Sequence, residues 1–162
     1  MTPAPPPAET ATAPTRVALA DLPQHVGTVF GPSSWHFVSQ EEVNDFADLT
    51  GDHNPIHVDA EAAARSPFGG TIVHGYFTLS LVVPLMAEIV EVTGVATGVN
   101  YGLDRLRFPA PVRVGARIRV VSTLREVTEV PGGYQTVFES IFEAEDQAKP
   151  AAVAVMVLRF LG

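Results

Sequence analysis

The stretch Gly51-Asp52-His53-Asn54-Pro55-Ile56-His57-Val58-Asp59 packs two carboxylates, two imidazoles and an amide into one short segment. Pro55 stiffens it, and short loops held between rigid elements are where reactive groups are often carried. Asp52 and His57, five residues apart, can face one water molecule from two sides. One group then takes a proton from that water while the other delivers a proton elsewhere. Two other readings compete. His53 and His57 have the i, i+4 spacing of zinc ligands on a helix, with His74 as a third ligand, but Pro55 between them disfavours that helix. The plainer alternative is a polar turn in which Asp52 and Asp59 cap helices. Capping is the better account of Asp59 and the weaker account of Asp52 with His57.

A second segment, Thr71-Ile72-Val73-His74-Gly75, precedes an apolar run. A glycine at the start of a helix presents a backbone N–H and the positive end of the helix dipole, which suits a developing oxyanion. Gly75 as a packing glycine is the alternative. His74 by itself reads as a hydrogen-bonded structural histidine. Ser80 lies within reach of a ligand, or bonds back to its own turn.

These groups need elements to position them. Trp35 to Val38 reads as a short strand. Ser39 and Glu42 form an S-x-x-E capping box that opens a helix. Val43, Phe46, Ala47 and Leu49 give that helix one apolar face, and Gly51 ends it. Asp52 to Asp59 is expected to be irregular because of Pro55. Asp59 caps a short turn, Ala60 to Arg65, and Ser66 to Gly70 is a loop. The run from Tyr76 to about Val92 is expected to be a buried helix, hydrophobic nearly all round, with a kink from Pro84 and a stop at Gly94. Strands follow. Val99, Tyr101 and Leu103 alternate, then Leu106 and Phe108 alternate in the opposite phase, which predicts a bulge. Ile118, Val120, Ser122 and Leu124 alternate with polar residues, Pro131-Gly132-Gly133 makes a hairpin turn, and Tyr134 to Glu145 and Val153 to Val157 are further strands. The fold class is α+β: a buried helix and a run of antiparallel strands long enough to wrap it. An edge strand in such a sheet needs a partner.

Composition narrows the function. The chain has 162 residues, fitting one domain, and a formal net charge of −8 that disfavours nucleic-acid binding. Arg105, Arg107, Arg113, Arg117, Arg119 and Arg125 fall in one region. They either meet the phosphates of a small anion or lie on solvated strand faces. With no cysteine, disulfides, thiolate nucleophiles and Cys-rich metal sites are excluded. Met1 to Thr15, rich in Pro and Ala, is expected to be a disordered tail, with the globular part running from Arg16 to Gly162. No basic stretch followed by an apolar run marks a secretory signal, and the apolar run near Phe77 is too broken for a membrane span. A cytoplasmic protein with no membrane contact is the expectation.

Asp52-His53-Asn54-Pro55-Ile56-His57 resembles the D-x-N-P-x-H motif of MaoC-like dehydratases, the (R)-specific enoyl-CoA hydratases. Ile72-Val73-His74-Gly75 is similar to that family's I-x-H-G element, and Arg107-Phe108-Pro109-Ala110-Pro111-Val112 to its next strand and turn. The resemblance runs from about Phe37 to the C-terminus. It implies a hot-dog fold, a curved antiparallel sheet around a long central helix, and a homodimer acting on a CoA or acyl-carrier-protein thioester. It implies that Asp52 and His57 are catalytic, Asn54 orients the water, the Gly75 N–H forms the oxyanion hole and Ser80 is a site serine. It also implies that the chemistry needs no cofactor or metal. A thioesterase of the same fold and a non-catalytic acyl-binding subunit are the alternatives.

Overall fold

The computed structural model describes residues 13–162. Of the expected N-terminal tail, residues 1–12 lie outside the described residues, and Thr15 already belongs to a strand, β1 (Thr15–Ala18). A 3-10 turn, Leu19–His25, leads to β2 (Val29–Phe30) and β3 (His36–Phe37). The strand expected over Trp35 to Val38 is thus two residues long.

The helix α1 (Gln40–Thr50) begins as its sequence dictates. The Ser39 side chain accepts from the Glu42 N–H, and Glu42 accepts in return from the Ser39 N–H. It ends at Gly51, whose φ of 78° is a conformation that glycine adopts without a Cβ clash. Val43 and Ala47 are buried, but Leu49 is 85 % exposed. Leu49 lies about 120° round the helix from Val43, at 100° per residue, and so leaves the apolar stripe. Two short helices follow, α2 (Pro55–Val58) and α3 (Ala60–Ala64). The first corrects the expectation of an irregular segment. Pro55 stands at the first helical position, where a missing N–H costs nothing, and Asn54 caps the turn. Asp59 caps α3 by accepting from the Glu61 and Ala62 N–H groups at 3.0 and 2.9 Å.

The apolar run after His74 forms two helices, α4 (Gly75–Ser80) and α5 (Val82–Ala87), meeting at Leu81. Pro84 has no N–H to offer the Ser80 carbonyl, so the break falls where that ladder bond is missing. Helix does not continue to Val92. Residues Val90–Thr93 form β4, which pairs in parallel with β1 in register Thr15 to Val90. Nor is the run buried all round, since Tyr76 and Val83 are 71 % and 66 % exposed while Leu81, Val82, Leu85 and Met86 face inward.

The main sheet has the order β2-β6-β7-β8-β5, with β3 also on β6: β5 (Thr97–Arg107), β6 (Arg117–Val130), β7 (Gly133–Ala144) and β8 (Ala152–Leu161). All its pairings are antiparallel. The expected bulge appears as a register shift between Leu103 and Arg105, and a second, unexpected shift lies between Asn100 and Gly102. Ile118, Val120, Ser122 and Leu124 all point inward and are fully buried. The Ser122 hydroxyl is satisfied there by Ser140 at 2.7 Å. On β8 the buried alternation is carried by Ala152, Ala154 and Met156, with Val153 and Val155 on the other face only partly buried. Helix α4 lies against β8 and α5 against β6. This is the hot-dog arrangement, its central helix broken once.

Candidate active site

Gly51 turns the chain out of α1 and delivers Asp52 to the surface, where its carboxylate accepts from the Asn54 N–H at 3.4 Å. Asn54 spends its own Oδ1 on the Ile56 N–H at 3.3 Å, capping α2. One turn later His57 is 8 % exposed, and its Nδ1 lies 2.7 Å from the Ile72 carbonyl. A carbonyl only accepts, so Nδ1 carries the proton and Nε2 is the nitrogen left for a ligand. Ile72 is itself held, its N–H donating to the Ile56 carbonyl at 3.0 Å. Main chain anchored beside His57, at Ile56, therefore fixes the ring's tautomer.

His74 is 2 % exposed, and its Nε2–H donates to the Asp52 carbonyl at 2.9 Å. Its ring stacks on His57 with centroids 3.8 Å apart. The second segment now has a physical account: Ile72 orients His57, His74 grips Asp52, and Gly75 starts α4. As the first residue of that helix, Gly75 has a backbone N–H with no intrahelical acceptor. A Cβ on Gly75 would sit 2.9 Å from the Phe108 ring, so the glycine is also required for close packing.

Asp52 and His57 are thus brought together, each offering an atom within 4.8 Å of the other and of His74. That spacing also admits one metal ion, as the zinc reading requires. The rings, however, are stacked at 28° with centroids 3.8 Å apart, so one ion at ligand distance cannot lie in the planes of both. Tetrahedral coordination would have to turn one ring and break its carbonyl bond. His53, the other half of that i, i+4 pair, points elsewhere: its Nε2–H donates to Asp48 at 2.8 Å.

That bond to Asp48 chiefly holds the His53 pKa above its ordinary value of 6.5. A raised folded-state pKa gives stability that is fully present below the unfolded value and lost as pH rises through the folded one. An NMR titration is expected to place His53 above 6.5, and Asp48→Asn to bring it back down; an unchanged value in the variant would contradict the assignment.

A cavity of about 290 Å³ adjoins His57 and is lined by Gly75, Thr78, Phe68, Phe108 and Val112 among others. Thr78, 2 % exposed, was not singled out in the sequence, and neither was the role of Phe108. Gln40 was missed as well. Its Nε2 donates to the His57 carbonyl at 2.8 Å and its Oε1 accepts from Thr71 at 2.7 Å. Its place one residue after the helix cap was the available signal. Ser80 is not brought to this cavity; it is exposed, and its hydroxyl donates to the Tyr76 carbonyl at 2.8 Å.

Three of the clustered arginines turn out to be cross-strand partners of glutamates: Arg117 with Glu145, Arg119 with Glu143 and Arg125 with Glu139. The Arg117 guanidinium holds the Glu145 carboxyl below its ordinary range. These three belong to solvated strand faces. No helix among the described residues is long and apolar enough to cross a membrane.

A family model for the MaoC like domain matches residues 21–140. The 3-hydroxyacyl-thioester dehydratase Z of Mycobacterium tuberculosis is 47 % identical over 145 residues, covering 89 % of this chain and 96 % of that protein. Nodulation protein N of Rhizobium leguminosarum bv. viciae is 42 % identical over 153 residues, covering 89 % and 92 %. Among solved structures, an (R)-hydratase from A. caviae involved in PHA biosynthesis matches with a TM-score of 0.68 and 24 % identity, covering 82 % of this chain and 94 % of that one. At that identity the likeness speaks for the fold.

Proposed function

This chain belongs to the MaoC-like dehydratase family, and from that premise we propose that it adds water reversibly to trans-2-enoyl thioesters, giving (R)-3-hydroxyacyl thioesters. The observation that carries the reading is the approach of an Asp52 carboxylate oxygen and a His57 ring nitrogen to within 4.8 Å, beside a cavity that includes Gly75. A relative named for 3-hydroxyacyl-thioester dehydration supports the substrate class.

In this reaction the thioester carbonyl accepts from the Gly75 N–H, which draws charge from Cβ. A water held between Asp52 and His57 attacks Cβ. Asp52 takes one proton from it, the remaining hydroxyl stays on Cβ, and His57 gives a proton to Cα on the same face. With the Nδ1–H committed to Ile72, that proton comes from Nε2, so the ring enters the step protonated on both nitrogens and leaves it neutral. The proton taken by Asp52 returns to Nε2 to reset the pair. The Asn54 Oδ1 is occupied by its cap bond, which leaves the NH2 group to orient the water. Ser80 has no part in the step as placed. Dehydration runs the same transfers backwards.

The protein acts in this reading as a homodimer. Among the described residues strand β5 has a neighbour on one side only, and its Val99, Tyr101 and Leu103 are 42 %, 57 % and 41 % exposed. An apolar cleft between α5 and β5, with Val83 and Val99 at its rim, continues that surface.

Incubation with crotonyl-CoA, following loss of enoyl absorbance with chiral analysis of the product, tests the reaction. Formation of (R)-3-hydroxybutyryl-CoA is expected. Thiol release without hydration would move the protein to the thioesterases, and tight acyl-CoA binding without turnover would make it a binding subunit.

A further inference from the structure

We propose that His74 is a positioning residue that holds the two halves of the proton-transfer pair in register with the Gly75 N–H. The proposal rests on the hydratase reading of Asp52 and His57, and extends it to a residue outside the chemistry.

The three reacting groups come from three separate elements. Asp52 follows α1, His57 sits in α2, and Gly75 opens α4. His74 touches each of them: its Nε2–H reaches the Asp52 carbonyl at 2.9 Å, its ring lies on His57 at 3.8 Å, and its own peptide leads into Gly75. Phe46 of α1 covers the ring at a centroid distance of 5.0 Å, and Phe46 in turn stacks on Phe77 of α4 at 5.1 Å. The ring therefore contacts Phe46 of the helix that precedes Asp52 and His57 of α2, and the same Phe46 ties it to the helix that carries the oxyanion donor.

Packing alone does not account for a histidine here. His74 is 2 % exposed, and its Nδ1 is buried with no hydrogen-bond partner among the described residues. Leucine or methionine would fill the same space without burying an unsatisfied nitrogen. What histidine supplies beyond volume is one donor aimed at the Asp52 main chain together with one flat face against His57. Because Asp52 is exposed, its backbone has few other restraints: its N–H lies 3.4 Å from the Thr50 hydroxyl. Proton transfer is sensitive to such freedom, since a displacement of about 1 Å can cost a factor of about 10² in rate. His74 is assigned no contact with the water or the thioester, so its loss is expected to act on kcat and not on affinity.

Two variants separate the contributions. His74→Phe keeps a ring against His57 and removes the donor; His74→Gln keeps a donor and removes the ring. Both are assayed with crotonyl-CoA, with thermal melting to quantify folded protein and NMR to observe the His57 Nδ1–H proton. For His74→Phe, kcat per folded molecule is expected to fall at least about 10-fold, with KM changed less than about 2-fold. The His57 resonance should stay sharp. For His74→Gln, the resonance should broaden as the ring loses its stack, and kcat should fall as well. A purely structural histidine would lower the melting temperature in both variants and leave kcat per folded molecule and the resonance unchanged; that result overturns the proposal. Loss carried entirely by KM overturns it too. If His74→Phe does not fold, His74→Gln decides by the same two readouts. If the wild-type protein does not hydrate crotonyl-CoA, the hydratase reading fails separately, and the His57 resonance in His74→Gln still decides whether the clamp exists.

Discussion

Asp52→Asn is expected to lower turnover of crotonyl-CoA by about 10²-fold or more, with the unfolding midpoint little changed. The carboxylate is exposed, and its bond from the Asn54 N–H at 3.4 Å is one that an amide oxygen also accepts. The substitution therefore removes the proton acceptor and little else. His57→Gln is expected to cause a loss of similar size. It should also destabilise the fold somewhat, because a buried ring and its bond to the Ile72 carbonyl disappear. The two groups serve one step, so the double variant should be scarcely slower than the worse single variant. Steady-state kinetics on folded protein would check all three. Near-normal turnover in both single variants would remove the mechanism.

Phe138→Ala is expected to have the largest effect on stability, a loss of about 3–5 kcal/mol. Phe138 is fully buried near the middle of β7, where it pairs across the sheet with Leu124 on one side and Met156 on the other. Its ring also lies 6.2 Å from that of Phe30, which comes from the other end of the chain. Strands on both sides hold the backbone there, so the vacated volume cannot easily collapse. Urea denaturation would measure the loss, and a change below about 1 kcal/mol would show that the sheet relaxes around the site. Protein that remains folded should keep its turnover, because Phe138 does not line the cavity beside His57.

Much of the site's local structure could be read from the sequence because it depends on neighbours a few residues apart. The Ser39–Glu42 box, the left-handed Gly51 and the Asp59 cap each follow from side chains meeting nearby backbone. Alternation in Ile118 to Leu124 revealed an inward strand face for the same reason. The end of the central helix was different. In Ile89-Val90-Glu91-Val92 the apolar residues fit a helix continuing from α5 as well as a strand. The choice is made by β1, some seventy residues earlier, whose Thr15 N–H donates to the Ile89 carbonyl at 3.1 Å. Thr78 and Phe108 were similarly hidden. Which side chains line the cavity depends on the break at Leu81 and on how the turn after β5 folds over Gly75. Ser80 shows the converse: motif position suggested a ligand contact, while the ordinary helix-serine bond to Tyr76 is what the fold contains.

The order of elements along the chain has a consequence for how the protein is made. Asp52, His57, His74, Gly75 and the helices α4 and α5 all precede the strands β6 to β8, on which those helices rest. When Ala87 leaves the ribosome, the inward faces of Leu81, Val82, Leu85 and Met86 have no sheet to cover them. At about 5–20 residues per second, the stretch that completes the sheet, ending at Leu161, takes about 4–15 s more to emerge. Throughout that interval the nascent chain displays an uncovered apolar flank, a surface of the kind that makes partly folded chains prone to aggregate. Premature termination between Ala87 and β8 would yield a polypeptide that has every reacting group and no complete enclosure for them.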